Sequence, residues 1–148
     1  IMTPFSVIKS ANINSSIEDF YSNNQKLTFS RIPIYSKNND DINYYVLKDT
    51  ILEKLIQKKG KMKLGDIKRP IIKTYFESKI PFLFDNLLKK REHISLVIDE
   101  FGAVRGIVTL EDIIETLLGL EIVDETDTVV DLQVLAKKRR KKYLKGID

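Results

Sequence analysis

The sequence has no cysteine and no tryptophan, and His93 is its only histidine. Without cysteine there is no disulfide framework, no thiol nucleophile and no thiolate zinc site. A single histidine excludes a histidine-rich metal site and a pair of histidines sharing acid–base work. No apolar run approaches the roughly 20 residues of a membrane span, and no signal peptide is expected. Nor is the chain polar enough to stay disordered. Of its 148 residues 43% are hydrophobic, which suits one compact domain or two small ones sharing a core.

Positive charge is also scarcer than the formal net value of +4 suggests, because seven of the 25 basic residues stand between Lys137 and Lys145. Residues 1–136 keep 18 basic groups (25 less seven) and 20 acidic ones (21 less Asp148), a net of −2. A mildly acidic body argues against a basic groove built into the fold. The tail itself reads as a linker, as a helix running toward a further part, or as a segment drawn to anionic lipid. Nucleic-acid binding is not expected of it, since its only aromatic is Tyr143 and it has no recognition motif. The acidic run Glu121, Asp124, Glu125, Asp127 lacks the spacing of a loop metal site and reads as a solvated face. No metal site and no catalytic residue are expected: no nucleophile–base arrangement or phosphate-cradling loop is visible. The opening Ile1-Met2-Thr3-Pro4 reads as a piece cut from something longer.

What is present is an approximate duplication. In the first half Ile17, Phe20 and Tyr21 form an amphipathic helix behind a serine cap. A β-rich run, Phe29 to Tyr35, leads through the turn-forming stretch 37–41 to a second strand, Asn43 to Leu47. A helix follows over residues 48–58 and stops before Gly60. The second half repeats this order, with a short strand at Ile71–Lys73 and a helix over Pro81–Arg91. A buried strand at Ile94–Ile98, a turn at Asp99–Gly102, a strand from Val104 and a helix from Thr109 to Leu118 complete it. Arg31 aligns on His93 and Asp49 on Asp112, at offsets of 62 and 63 residues. The fold class expected is α+β, as two β-α-β-β-α copies of about 60 residues, each too small to bury a sufficient core alone.

Gly106-Ile107-Val108-Thr109-Leu110-Glu111-Asp112 resembles the CBS motif, whose tandem pair is called a Bateman module. The resemblance narrows with Met2-Thr3-Pro4, Ser30-Arg31-Ile32-Pro33-Ile34-Tyr35, Val46-Leu47-Lys48-Asp49, the run His93–Gly102, Gly106–Glu115 and Glu121–Asp127, which fall in order. Together they are similar to the cytosolic CBS pair of the CorC/CNNM family, often labelled hemolysin-like, over about residues 1–128. The resemblance implies two pseudo-symmetric motifs, in residues 1–60 and 61–128, packed as one module, with 129–148 as a basic tail or linker. It implies a non-catalytic regulatory module on the cytoplasmic face of the cell membrane, attached to a DUF21-type membrane domain that handles Mg²⁺ or Co²⁺. It also implies homodimerisation and an adenine-nucleotide ligand, ATP or AMP, carried with Mg²⁺. A module that only dimerises, with a decayed ligand site, is the alternative.

Thr109 and Asp112 stand three residues apart at a strand-to-helix junction, which on its own reads as a capping box. The resemblance adds a second reading, in which Asp112 holds a ribose diol while Thr109 and the helix N-terminus face phosphates. The two are compatible. Arg31, with Ser30 beside it, is the implied phosphate clamp, since a planar guanidinium suits bidentate contact. Phe29 and Ile32 are the implied apolar wall for adenine, Thr3 an adenine or ribose contact, and Glu111 a carboxylate toward Mg²⁺ on the phosphates. In the first half Val46 aligns on Thr109 and Asn43 on Gly106, while Asp49 persists. One competent site and one degenerate site are therefore expected, with His93 a structural residue facing the latter.

Overall fold

A computed structural model describes residues 2–119; the acidic run and the basic tail lie outside the described residues. In chain order the elements are β1 (Thr3–Pro4), β2 (Ala11–Asn12), α1 (Ile17–Asn23), β3 (Arg31–Tyr35), β4 (Ile42–Leu47), α2 (Lys48–Ile56), β5 (Arg69–Pro70), β6 (Ile72–Tyr75), α3 (Ile80–Lys90), β7 (Ile94–Ile98), β8 (Val104–Thr109) and α4 (Leu110–Leu118). Two compact units divide the chain, Ile1–Ile113 and Ile114–Asp148. The first holds every strand among the described residues and the first turn of α4. Of the second, only the remainder of α4 and Gly119 are described. No helix among the described residues is long and apolar enough to cross a membrane.

The first unit contains two four-stranded sheets, ordered β2-β3-β4-β5 and β1-β8-β7-β6. Each sheet is built mainly from one half of the chain and completed by a two-residue strand from elsewhere. Thr3 and Pro4 pair antiparallel with Ile107 and Gly106 of the second half. Arg69 and Pro70 pair antiparallel with Tyr45 and Tyr44 of the first. This reciprocal edge pairing ties the halves by backbone hydrogen bonds as well as by side chains.

Alternation along the strands sorts the core. Ile32, Ile34 and Val46 face one way and pack with Ile17, Phe20 and Ile51 of α1 and α2. Val97 and Val108 do the same against Leu83, Leu87 and Ile113 of α3 and α4. The opposite faces meet between the sheets, where Tyr45, Ile94, Leu96, Val104 and Ile107 are buried with Leu47 and Tyr35 at the margin. Period-two patterning thus gives each strand one helix-facing side and one sheet-facing side. Ile17, Ile51 and Ile113 are all 0% exposed, each stabilising the fold by roughly 1.5–3 kcal/mol relative to an exposed side chain.

The register corrects the alignment of the halves. Arg31 pairs with Leu47 as Ile94 pairs with Thr109, and the next pairs follow in step. The amide of Lys48 donates to Ser30 as that of Leu110 donates to His93, both at 2.9 Å. Position by position, Ser30 therefore matches His93, Arg31 matches Ile94, Tyr44 matches Gly106, Leu47 matches Thr109, Asp49 matches Glu111 and Thr50 matches Asp112. The expected matches of Arg31 with His93, Asp49 with Asp112, Val46 with Thr109 and Asn43 with Gly106 are each one residue out. The cause is the hairpin: residues 36–41 join β3 to β4, whereas the shorter segment 99–103 joins β7 to β8.

Candidate nucleotide site

Thr109 ends β8 and Asp112 lies in the first turn of α4. The Thr109 amide donates to Asp112 Oδ2 at 3.1 Å, and the Asp112 amide donates to Thr109 Oγ1 at 3.2 Å. This is a reciprocal capping box. With the Leu110 amide bonded to His93 O, two of the first three helix amides are already satisfied. A phosphate here would meet the hydroxyl hydrogen of Thr109, whose oxygen is the acceptor in the box, as well as the positive end of the helix.

Thr3 reaches this corner through β1, opposite Ile107 and two residues along β8 from Thr109. Gly106 makes that approach possible. A Cβ there would drive into the carbonyl oxygen of Thr3 and lie 3.0 Å from Met2 Sδ. Glycine is needed for the space, and the invasion of the second sheet by β1 depends on it.

Arg31 opens β3 in the other sheet, opposite Leu47. Leu47 and Tyr45 pack between the sheets, so Arg31, on the same face as its cross-strand partner, points to that side too. Its Nε is buried and has no hydrogen-bond partner. An unpaired buried donor on a cation is costly, roughly 1–3 kcal/mol or more, and it marks the place where a ligand oxygen would be stabilising.

The other candidates separate. Ser30 is exposed and its carbonyl is used by Lys48. Glu111 is exposed in the first turn of α4. Ile32 is 0% exposed within the helix-facing cluster. That corrects its expected role as an adenine wall, because strand alternation turns it away from Arg31. Phe29 is 47% exposed and lines a cavity of about 420 Å³ with Lys9 and residues 22–28. Those walls hold two lysines and no acid; being a polar loop, they gave no sequence signal.

The first half lacks this chemistry. Leu47 caps α2 with no side-chain bond, Thr50 replaces the carboxylate, and Arg69 takes the position of Thr3 beside the last strand. Lys68 Nζ lies 4.4 Å from the centre of the Tyr44 ring and the Arg69 guanidinium 5.9 Å from that of Tyr45. These cations are spent on aromatic faces. His93 is exposed and matches Ser30. Among the described residues no group of three or more histidine or acidic side chains is placed to hold a metal ion.

The CBS-domain family model matches residues 64–119. A UPF0053 protein of Synechocystis is 40% identical over 116 residues, 78% of this chain and 33% of that protein. The magnesium and cobalt efflux protein CorC of Buchnera aphidicola is 33% identical over 105 residues, 71% of this chain and 36% of its own length. The CBS domain of a bacterial CNNM/CorC family Mg²⁺ transporter, solved in complex with ATP, is 27% identical with a TM-score of 0.76, covering 82% of this chain and 86% of that one. The chain is a CBS-domain module of the CorC/CNNM family. It spans about a third of the length of the relatives it matches. The family match begins at Leu64 and takes in β5 through α4.

Proposed function

We propose that this CBS module binds an adenine nucleotide at the second-half corner and regulates a divalent-cation transport protein of which it is a part. The observation that carries the reading is the likeness to a CBS domain in complex with ATP, together with a Thr109–Asp112 junction of the right type in the same half. Thr109 would donate to a phosphate oxygen, Asp112 would accept from the ribose, Thr3 would flank them from β1, and Arg31 would neutralise phosphate charge with its unpaired Nε. Phe29 offers an apolar face for the base. The residues present give Mg²⁺ no cage of their own, so Mg²⁺ would arrive on the phosphates, with Glu111 the exposed carboxylate in that turn. The module acts by linkage: a nucleotide that binds one conformation of a module dimer more tightly shifts the attached membrane domain toward it. In this reading the module lies at the cytoplasmic face of the membrane and is not a catalyst.

Calorimetric titration with ATP, ADP and AMP, with and without Mg²⁺, tests this. Saturable binding lost in Asp112→Ala is the expected result. No binding by any of the three at millimolar concentration overturns it and leaves a purely structural dimerisation module.

A further inference from the structure

We infer that Tyr45 and Glu92 are positioning residues for the phosphates: their hydrogen bond, made from one half of the chain to the other, holds the Glu92 carboxylate away from Arg31. The inference rests on the nucleotide reading above.

Tyr45 is 2% exposed, and its Oη donates to Glu92 Oε2 at 2.8 Å across the boundary between the halves. Arg31 and Tyr45 lie on adjacent strands, two residues out of register and on the same face, a diagonal within reach of long side chains. Arg69 crosses the Tyr45 ring. Both arginine charges are felt at the Tyr45 hydroxyl, and both oppose the upward push on its pKa from burial and from Glu92.

One half-buried carboxylate is thus bonded to a hydroxyl on which both guanidinium groups act, yet neither forms an ion pair with it among the described residues. A guanidinium–carboxylate pair is stronger than a phenol–carboxylate bond, so something must hold the carboxylate in place. The backbone supplies one restraint. Arg91, left-handed at φ 53°, ends α3, the Glu92 amide donates to Leu87 O at 3.0 Å, and His93 O receives the first amide of α4 at 2.9 Å. The Tyr45 hydroxyl supplies the other. Together they leave Arg31 Nε unpartnered, and they link it through Tyr45, Glu92, His93 and Leu110 to the capping box.

The test is titration of the chain with ATP and with adenosine, for the native protein, Tyr45→Phe, Glu92→Gln and the double variant. Tyr45→Phe keeps the buried ring and releases the carboxylate toward Arg31. Its ATP affinity should fall about five-fold with adenosine affinity unchanged, since one hydrogen bond is at stake. Glu92→Gln keeps an acceptor and removes the competing charge, so ATP affinity should hold. The double variant should recover the ATP affinity lost in Tyr45→Phe, a rescue that a merely structural bond does not produce. Equal losses for ATP and adenosine, or no rescue in the double variant, overturn the inference while the nucleotide reading stands. If the native chain binds neither compound, both fall.

Discussion

The two halves follow the same path and part company where the last strand hands over to the last helix. In the second half Thr109 and Asp112 close a reciprocal box around that turn. In the first, Leu47 stands at the cap with no side-chain bond and Thr50 stands where the carboxylate would be. Both helices form all the same, and both are nine residues long. Each is seated by a matching isoleucine, Ile51 or Ile113, at 0% exposure, so packing of the apolar face suffices. The box is therefore not required for the helix to form, and its presence in one half only is the difference that the proposed nucleotide site uses.

The comparison breaks most easily at the close approach of β1. Gly106→Ala puts a methyl into the carbonyl of Thr3, a clash with backbone that only a shift of β1 can relieve. We expect a loss of about 3 kcal/mol in urea unfolding, with nucleotide binding lost as Thr3 is displaced. Tyr44→Ala, at the matching position, removes a side chain that packs at the edge of the first cluster and under Lys68 and should cost about 1 kcal/mol. Equal costs would show that the two short strands are held alike.

Next in size is the carboxylate. Asp112→Ala should weaken ATP binding about 30-fold or more, as expected for hydrogen bonds to a charged acceptor. Thr50→Ala should change it by less than about two-fold, the scatter typical of a surface substitution. Unfolding must be followed beside titration, because losing the cap alone costs about 1 kcal/mol. The reverse order of effects would move the site to the first half.

Smaller again is the pH dependence of the bridge between the halves. Burial first, then the hydrogen bond to Glu92 and its charge, raise the Tyr45 pKa above 10.0. The unfolded chain then releases this proton at lower pH than the folded one, so the contribution is complete below pH 10.0 and declines as pH rises through the folded value. The stability advantage of the native protein over Tyr45→Phe, about 1 kcal/mol at neutral pH, should shrink as pH rises above 10.0. A difference that stays flat over that range would mean the bond does not govern this titration.

Much of this was legible in the residues. The order of strands and helices follows from alternation and helical spacing, and α1 begins just after its cap Ser16, whose Oγ accepts from the Asp19 amide. The capping box follows from Thr-x-x-Asp alone. The pairing of the halves was off by one residue because like residues attract in an alignment: Asp49 was laid on Asp112. The register is set instead by strand pairing and by the longer first hairpin, neither of which leaves a residue-level mark. The role of Arg69 was hidden for the same reason, since only the edge pairing of β5 puts it in the place of Thr3. Ile32 was misread because a resemblance names a segment, whereas strand alternation decides which of its side chains face the cleft.

The smallest effect tests whether a cap and a site are separable. Thr50→Asp places a carboxylate at the third helical position of α2, where Asp112 stands in α4. It can accept from the Leu47 amide as Asp112 accepts from Thr109, and it adds a negative charge to the positive end of the helix. We expect a gain of about 0.5 kcal/mol, read as a small rise in the urea midpoint with unchanged slope. No second nucleotide should bind, because Leu47 offers no hydroxyl, Tyr44 carries a side chain where Gly106 has none, and Arg69 is stacked on Tyr45. Two nucleotides per chain would show that a carboxylate at the helix start is enough to make the site, and that the asymmetry between the halves rests on one residue. Stabilisation with one nucleotide per chain would place the difference in the whole corner: the glycine, the hydroxyl and the strand that lies across them.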